Sequence, residues 1–352
     1  MSDGPRPVRI GGAAALAPGD LPETVDDALR AVTGWPDDLR PGSGATVALW
    51  ERLAALAAHD LAVARAVEPH LDARAVLDQA GARLPDALAG PSTTWGVYAA
   101  EGPGRPLAAL ERDGAWVLDG KKPWCSLAGR LDAALVTART EDGRRGLFAV
   151  DLRASEVVPV DAPWPARGLA EIPSTPVRFD RAAATPVALG DWYLERPGFW
   201  WGGIGVAACW FGGAVALARR VHAQAAAKPD DRLLAMHLGA LDERLEAARL
   251  SLAEAAARVD GSGAATRAGT DPEDEHARAA GRVLAKRVRA TVARTCEDVL
   301  RLAAHSLGPG PLTQEPSHAK RVADLEVYVR QQHAERDDAS LGALLAAGPA
   351  PW

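Results

Sequence analysis

The chain has 352 residues, enough for two or three domains and a sizeable core. Hydrophobic residues make up 48% and charged residues 24%, an ordinary globular balance. The net charge of −6, with no Lys/Arg-rich tail, argues against a general nucleic-acid binder. The first residues, Met1 to Pro7, carry no apolar signal core, and no apolar run reads as a membrane span. Cys125, Cys209 and Cys296 lie far apart without metal-ligand spacing, so reduced thiols and a cytoplasmic location are expected.

Residues 1–45 are rich in Gly, Pro, Asp and Ala, with one short helix expected over Leu21–Val32 before Gly34-Trp35-Pro36. Leu49, Leu53 and Leu56 recur at helical spacing, and Leu61, Val63 and Val67 begin a second phase. Pro69 is expected to break that helix, leaving a shorter one from Asp72 to Ala80, stopped by Gly81. On this reading His59-Asp60 and the Glu68–Asp72 stretch sit at helix ends and serve as caps.

Between 91 and 190 the periodicity changes to short runs of Val, Leu, Trp and Phe punctuated by Gly, Pro and Asp. Strands are expected at Thr94–Tyr98, Leu107–Glu111, Ala115–Asp119, Ala133–Arg139, Gly146–Asp151, Val157–Val160 and Ser174–Phe179. Seven such strands predict a compact barrel or sandwich. Asp119-Gly120 reads as a hairpin turn leading to Trp124-Cys125-Ser126. A Trp two residues before a Ser sets an aromatic plate beside a hydroxyl. That pair suits a flat heteroaromatic ring bonded at its edge, although core or rim packing is the commoner use of such a Trp.

From Gly198 onward the sequence is helical. Expected helices run to about Ala227, over Leu233–Val259, over Asp274–Leu307 and over Pro316–Arg336, with a Gly/Ser/Asp-rich loop at 260–275. The first of them carries many glycines, each costing about 1 kcal/mol relative to Ala in a helix interior. These imply close approach of another helix or of a ligand. Trp192, Trp200, Trp201 and Trp210 read either as core or as a wall around a flat ligand.

Gly114, Trp116, Gly120, Lys122, Trp124 and Ser126 together resemble the central β-domain signature of the acyl-CoA dehydrogenase superfamily. Trp164, Gly168, Ile172, Ser174, Val177, Phe179 and Asp180 resemble its last β-domain segment. The resemblance implies an α+β fold: a short N-terminal helical domain (1–90), a central antiparallel β-barrel or sandwich (91–190) and a C-terminal four-helix bundle (191–345). It implies FAD as cofactor, with Trp124 against the flavin ring and Ser126 bonding near its reactive nitrogen. Leu307-Gly-Pro-Gly-Pro-Leu312 resembles the loop that meets a partner subunit's flavin, which implies cofactor contacts at Gly308 and Gly310 and a homodimer or homotetramer. The substrate implied is a small molecule, an acyl-CoA or acyl-carrier thioester among them.

The sequence also departs from the family. The Thr and the Ser-Asp pair of a flavin-contacting loop are missing around Glu101, Gly102 and Gly104, and the connection at 227–233 lacks the family's Phe-Gly. The usual catalytic Glu is absent; its place falls near Gln332 or His333, in Gln331-Gln-His-Ala-Glu335. His333, whose ordinary pKa is near 6.5, and Glu335 are therefore the expected acid/base residues. Superfamily members that act as flavin monooxygenases also lack this Glu. Three readings follow: dehydrogenation of an acyl thioester, a monooxygenase- or oxidase-like reaction with His333 as acid/base, and a non-catalytic relative that binds a ligand or partner.

Overall fold

The structure is a computed structural model that describes residues 7–11, 21–36, 38–261, 272–348 and 350. Most of the loop expected at 260–275 lies outside them. Three helices come first: α1 (Val25–Val32), α2 (Thr46–His59) and α3 (Leu61–Ala80). Asp60 caps α3 by accepting from the Ala62 and Val63 amides, and Gly81 ends it in the left-handed conformation. Pro69 does not break α3 as expected. It removes one helical hydrogen bond, and packing of the surrounding apolar residues holds the helix through it.

Seven strands follow: β1 (Trp95–Tyr98), β2 (Ala108–Arg112), β3 (Ala115–Lys122), β4 (Ala133–Thr140), β5 (Arg145–Asp151), β6 (Val157–Pro159) and β7 (Val177–Leu189). The pairings β4–β2–β3–β7–β5 return to β4, so they close on themselves, with β1 added to β4 and β6 to β7. The sheet is mixed rather than purely antiparallel, because β1 and β2 both run parallel to β4. The hairpin turn is not Asp119-Gly120. It is Asp113-Gly114, both at positive φ, between β2 and β3. Asp119 instead lies at a bulge where the register with β7 shifts between Leu118 and Gly120.

The C-terminal part contains α4 (Trp192–Glu195), α5 (Pro197–Ala227), α6 (Arg232–Gly261), α7 (Pro272–Leu307), α8 (Gly310–Gln314), α9 (Pro316–Tyr328) and α10 (Glu335–Ala346). The helix expected from Pro316 to Arg336 is interrupted. It ends at Tyr328, passes through a 3-10 turn, and the chain breaks direction at Ala334, whose φ is 45°. α5 is long and apolar enough to cross a membrane, contrary to the reading of the sequence, but 78% of its most apolar stretch is buried inside the protein. It packs on α2, α6, α7 and α9. One apolar core runs from Ile10 through α2, α3, the sheet and α5 to Val329.

The glycines of α5 make that packing possible. A Cβ on Gly212 would sit 2.1 Å from the Ala54 carbonyl oxygen of α2, and one on Gly213 would press on Leu61 at 3.0 Å. Close helix approach, rather than a ligand, accounts for both. A second tight joint lies where the turn before β7 meets α9: a Cβ on Gly168 would fall 1.9 Å from the Ala323 carbonyl oxygen. There the buried Asp324 accepts from the Leu169 amide at 2.6 Å and from Lys320 Nζ at 2.7 Å, while Lys320 also reaches Asp60 at 3.0 Å.

Gly212→Ala should lower stability by about 1–3 kcal/mol through overpacking against α2. Gly239→Ala, in α6 with open space around it, should raise stability by about 0.4–1 kcal/mol; chemical denaturation of both variants checks the contrast. Asp324 separates a geometric role from a charge role. Burial raises its pKa, so its ionised form is disfavoured on folding, and that stabilisation is present below the unfolded pKa and lost as pH rises. Neutral Asp324→Asn, which keeps an acceptor for Leu169, should therefore cost less than about 1 kcal/mol, whereas Asp324→Ala should cost about 1–3 kcal/mol. Equal losses in the two melting curves would contradict this.

Candidate functional site

Two left-handed residues shape the segment after β3. Trp124 has φ 58° and Leu127 has φ 60°, a conformation costly for residues with side chains. The strain is held by the neighbouring backbone: the Cys125 amide donates to Thr175 O at 3.2 Å and the Leu127 amide to Pro173 O at 2.9 Å. The result turns Cys125 into the core and leaves Trp124 56% exposed, a flat indole face at the surface.

The Ser126 hydroxyl is held by two neighbouring side chains. It lies 2.7 Å from Ser174 Oγ, and Ser174 donates onward to Ile172 O. Ser126 also accepts from Arg65 Nη2 at 3.1 Å, and its carbonyl accepts from the Tyr98 hydroxyl at 3.1 Å. With Ser126 as donor to Ser174, one lone pair on its oxygen stays free for an incoming N–H. The hydroxyl is thus fixed from two sides, by α3 and by the segment that Asp324 anchors.

Arg65 begins a polar stripe on α3. Arg65, Glu68 and Asp72 follow each other at spacings of three and four, on one face of a helix whose other residues are mostly apolar. Asp72 accepts from Arg196 at 3.0 Å, and Arg196 also bonds Gln79. Gly202 of α5 leaves room for this stripe, since a Cβ there would meet Asp72 at 2.7 Å. Arg289 of α7 approaches from the opposite side. It donates to the carbonyls of Gly203 and Gln331 and lies 4.7 Å above the Trp210 ring. Tyr328 packs edge-on against Trp210, whose indole N–H has no hydrogen-bond partner among the described residues.

Glu68 sits at the centre of this stripe without a hydrogen bond to any described residue. Burial is the main cause that pushes its pKa up to about 7; Asp72 adds to the rise, while Arg65 and Arg289 oppose it. The group is poised to exchange a proton near neutrality. His70, two residues on, is different: its Nδ1 accepts the Trp95 amide at 3.1 Å, and burial lowers its pKa to about 4, so it stays neutral.

The structure does not bring the expected acid/base pair inward. The His333 side chain is 66% exposed, with its amide bonded to Asp337, and Glu335 is an exposed residue in the first turn of α10. The residue that turns inward at this connection is Gln332, 7% exposed with its Oε1 unpartnered. The break after Tyr328 causes the difference, because a continuous helix would present another face. Gly308 ends α7 at φ 67° and Gly310 opens α8, both with open space around their α-carbons. The four Trp residues at 192–210 form no single wall: Trp210 is buried beside Tyr328, Trp201 packs against Gly42, and Trp192 and Trp200 are half-buried.

Sequence reasoning missed Arg65, Glu68 and Arg289. The signal for the first two was present: charged residues at 65, 68 and 72 lie on one face of a helix whose other residues are mostly apolar. Taking Pro69 as a break hid that face.

No family model matches the sequence, and no curated protein matches it. Solved structures do match. Nitrososynthase from Micromonospora carbonacea var. africana superposes with a TM-score of 0.75 at 19% identity, over 97% of this chain and 100% of that one. Butyryl-CoA dehydrogenase from Megasphaera elsdenii gives 0.75 at 16% identity, over 93% and 91%. Dibenzothiophene monooxygenase from Paenibacillus sp. A11-2, also solved with FMN bound, gives 0.74 at 17% identity, over 93% and 91%. These likenesses show that the chain shares the fold and connectivity of these proteins.

Proposed function

We propose that the protein is a flavin-dependent oxidoreductase. The observation that carries this reading is the exposed Trp124 plate beside a fixed Ser126 hydroxyl, linked through Arg65 to Glu68. The flavin supplies the two-electron redox chemistry. Trp124 would lie against one face of its ring, and the free lone pair of Ser126 would be available to an N–H at its edge. The Gly308–Gly310 loop, open on its outer side, is free to meet the cofactor of a second subunit in a homo-oligomer.

Glu68 takes the place of the missing carboxylate as the group that moves a proton. A carboxyl with a pKa near the working pH combines a useful ionised fraction with enough basicity to abstract a proton. Arg65 holds Ser126 on one side and biases Glu68 towards its anion on the other, so cofactor edge and base are coupled through one guanidinium. Dehydrogenation of an acyl thioester uses Glu68 to remove the α-proton. The interior charges Asp72, Arg196 and Arg289 favour a second reading, oxidation of a compact polar substrate, because an acyl chain needs an apolar channel. Reoxidation of the bound, reduced flavin by oxygen discriminates the two: fast reaction supports the oxidase- or monooxygenase-like reading, slow reaction the dehydrogenase.

The purified protein should show a flavin spectrum perturbed by binding, either as isolated or after addition of FAD or FMN. Trp124→Ala should weaken flavin binding at least about tenfold. No uptake of any flavin by folded protein refutes the oxidoreductase reading. Turnover should rise with pH through about 7 as Glu68 ionises, and Glu68→Gln should reduce it about 10²- to 10⁴-fold and abolish that limb of the profile. The same shift acts on stability. A raised folded pKa gives stabilisation that is full below the unfolded pKa and is lost as pH rises through about 7, so Glu68→Gln should stabilise the protein more at pH 8 than at pH 5. A turnover profile unchanged by Glu68→Gln would return the role to His333 or Glu335.

A further inference from the structure

α10 rests on α7 without burying any residue of its own, whereas α9, of similar length, buries His318, Asp324, Leu325 and Tyr328. The two helices do not close on each other. A hollow of about 280 Å³ lies at their junction, lined by Ala290 and Ala293 of α7, Val329 and Gln332 of the connection, and Glu335 and Asp338 of α10. Close-packed helices leave no such gap, so dispersion contacts hold α10 weakly.

Charge holds it instead. Asp338 pairs with Arg294 of α7, and Asp337 lies 3.5 Å from Lys286 Nζ. Asp337 also accepts from the His333 amide at 2.9 Å, which ties the first turn of α10 to the residue before the bend. The Arg294 and Asp338 side chains are 59% and 39% exposed. An ion pair so open to water contributes little and weakens with salt. The chain enters α10 through Ala334, at φ 45° and ψ −117°, a conformation that an alanine keeps only where its surroundings hold it. One strained residue before a lightly held helix forms a hinge, because opening relieves the strain and breaks few contacts.

The hinge stands over the charged interior. Gln331, three residues before Ala334, accepts from Arg289 Nη2 at 3.0 Å, and Arg289 is one of the two guanidinium groups that bear on Glu68. Burial lowers the pKa of Arg289, and the Asp337 carboxylate is the chief influence against it. In the closed position α10 thus supplies part of the countercharge of Arg289.

We propose that α10, hinged at Ala334, is a charge-latched flap that closes the Arg289 side of the Glu68 site and opens to admit substrate. The latch consists of the Arg294–Asp338 and Lys286–Asp337 pairs. The inference rests on the reading of Glu68 as the group that moves a proton, and it adds how that site is closed.

Hydrogen exchange resolved along the chain tests the flap. The α10 amides should exchange well ahead of those of α7 and α9. They should exchange at least about fivefold faster still in the double variant Lys286→Gln/Arg294→Gln, or when sodium chloride is raised from about 0.05 to about 0.5 M. Both substitutions lie on α7, so the helix propensity of α10 is unchanged, and the salt series needs no substitution at all. Modification of arginines by phenylglyoxal, mapped by mass spectrometry, tests the closure. Arg289 should react at least about fivefold faster in the double variant, while the exposed Arg105 keeps its rate. Exchange of α10 only together with α7, exchange indifferent to salt, or faster exchange without faster modification of Arg289 overturns the proposal. Neither measurement requires a flavin. A protein that takes up none refutes the oxidoreductase reading, and these rates still judge the flap.

Discussion

The arrangement depends on the buried contact between Asp324 and the turn before β7. Asp324 fixes the Leu169 amide and Lys320, and Lys320 reaches back to Asp60, the cap of α3. Three parts of the chain separated by more than a hundred residues meet at these few atoms. From Leu169 the backbone leads directly to Pro173, Ser174 and Thr175, the residues that hold Leu127, Ser126 and Cys125. From Asp60 it leads along α3 to Arg65 and Glu68. A joint made of hydrogen bonds with defined directions, close-packed at Gly168, sets the distance between the two halves of the site more sharply than apolar contact would.

The strain in the Trp124 segment gains its meaning from that joint. Two left-handed residues with side chains are unfavourable in isolation and persist only where surrounding structure fixes them. Here the fixing bonds come from the 173–175 backbone. The outcome is division of labour over four residues: indole outward, thiol into the core, hydroxyl towards α3. Such a segment can present a plate and a hydrogen-bond acceptor to one ligand without rearrangement, which lowers the ordering cost of binding.

Charge is distributed in the same divided way. The interior stripe on α3 joins carboxylates and guanidinium groups, and in it Glu68 is kept near neutrality by burial. At the sheet end, the buried Lys122 donates to the Thr137 carbonyl and hydroxyl. One environment raises the pKa of an acid, the other lowers that of a base, and desolvation is the leading cause of both. Unlike the exposed ion pairs elsewhere on the surface, whose contribution is small, these two groups are held in states that a ligand or a proton can change.

The sequence by itself determined the succession of elements. Strand boundaries from β1 to β6 follow from apolar runs between Gly, Pro and Asp within a few residues, and the long helices follow from their periodicity. It also marks Trp124 and Ser126 as candidates, because a motif of closely spaced residues needs no tertiary information to be read. Only the tertiary structure decided which carboxylate lies inside. Glu68 and His333 are both charged or titratable residues near a predicted break, and local pattern treats them alike. The proline of α3 is absorbed by the packing of its apolar neighbours, so Glu68 stays on the half-buried inner face of one continuous helix. After α9 the chain passes through a 3-10 turn and changes direction at Ala334, which leaves His333 in solvent. Burial is a property of the whole fold, and the pKa of a side chain follows burial.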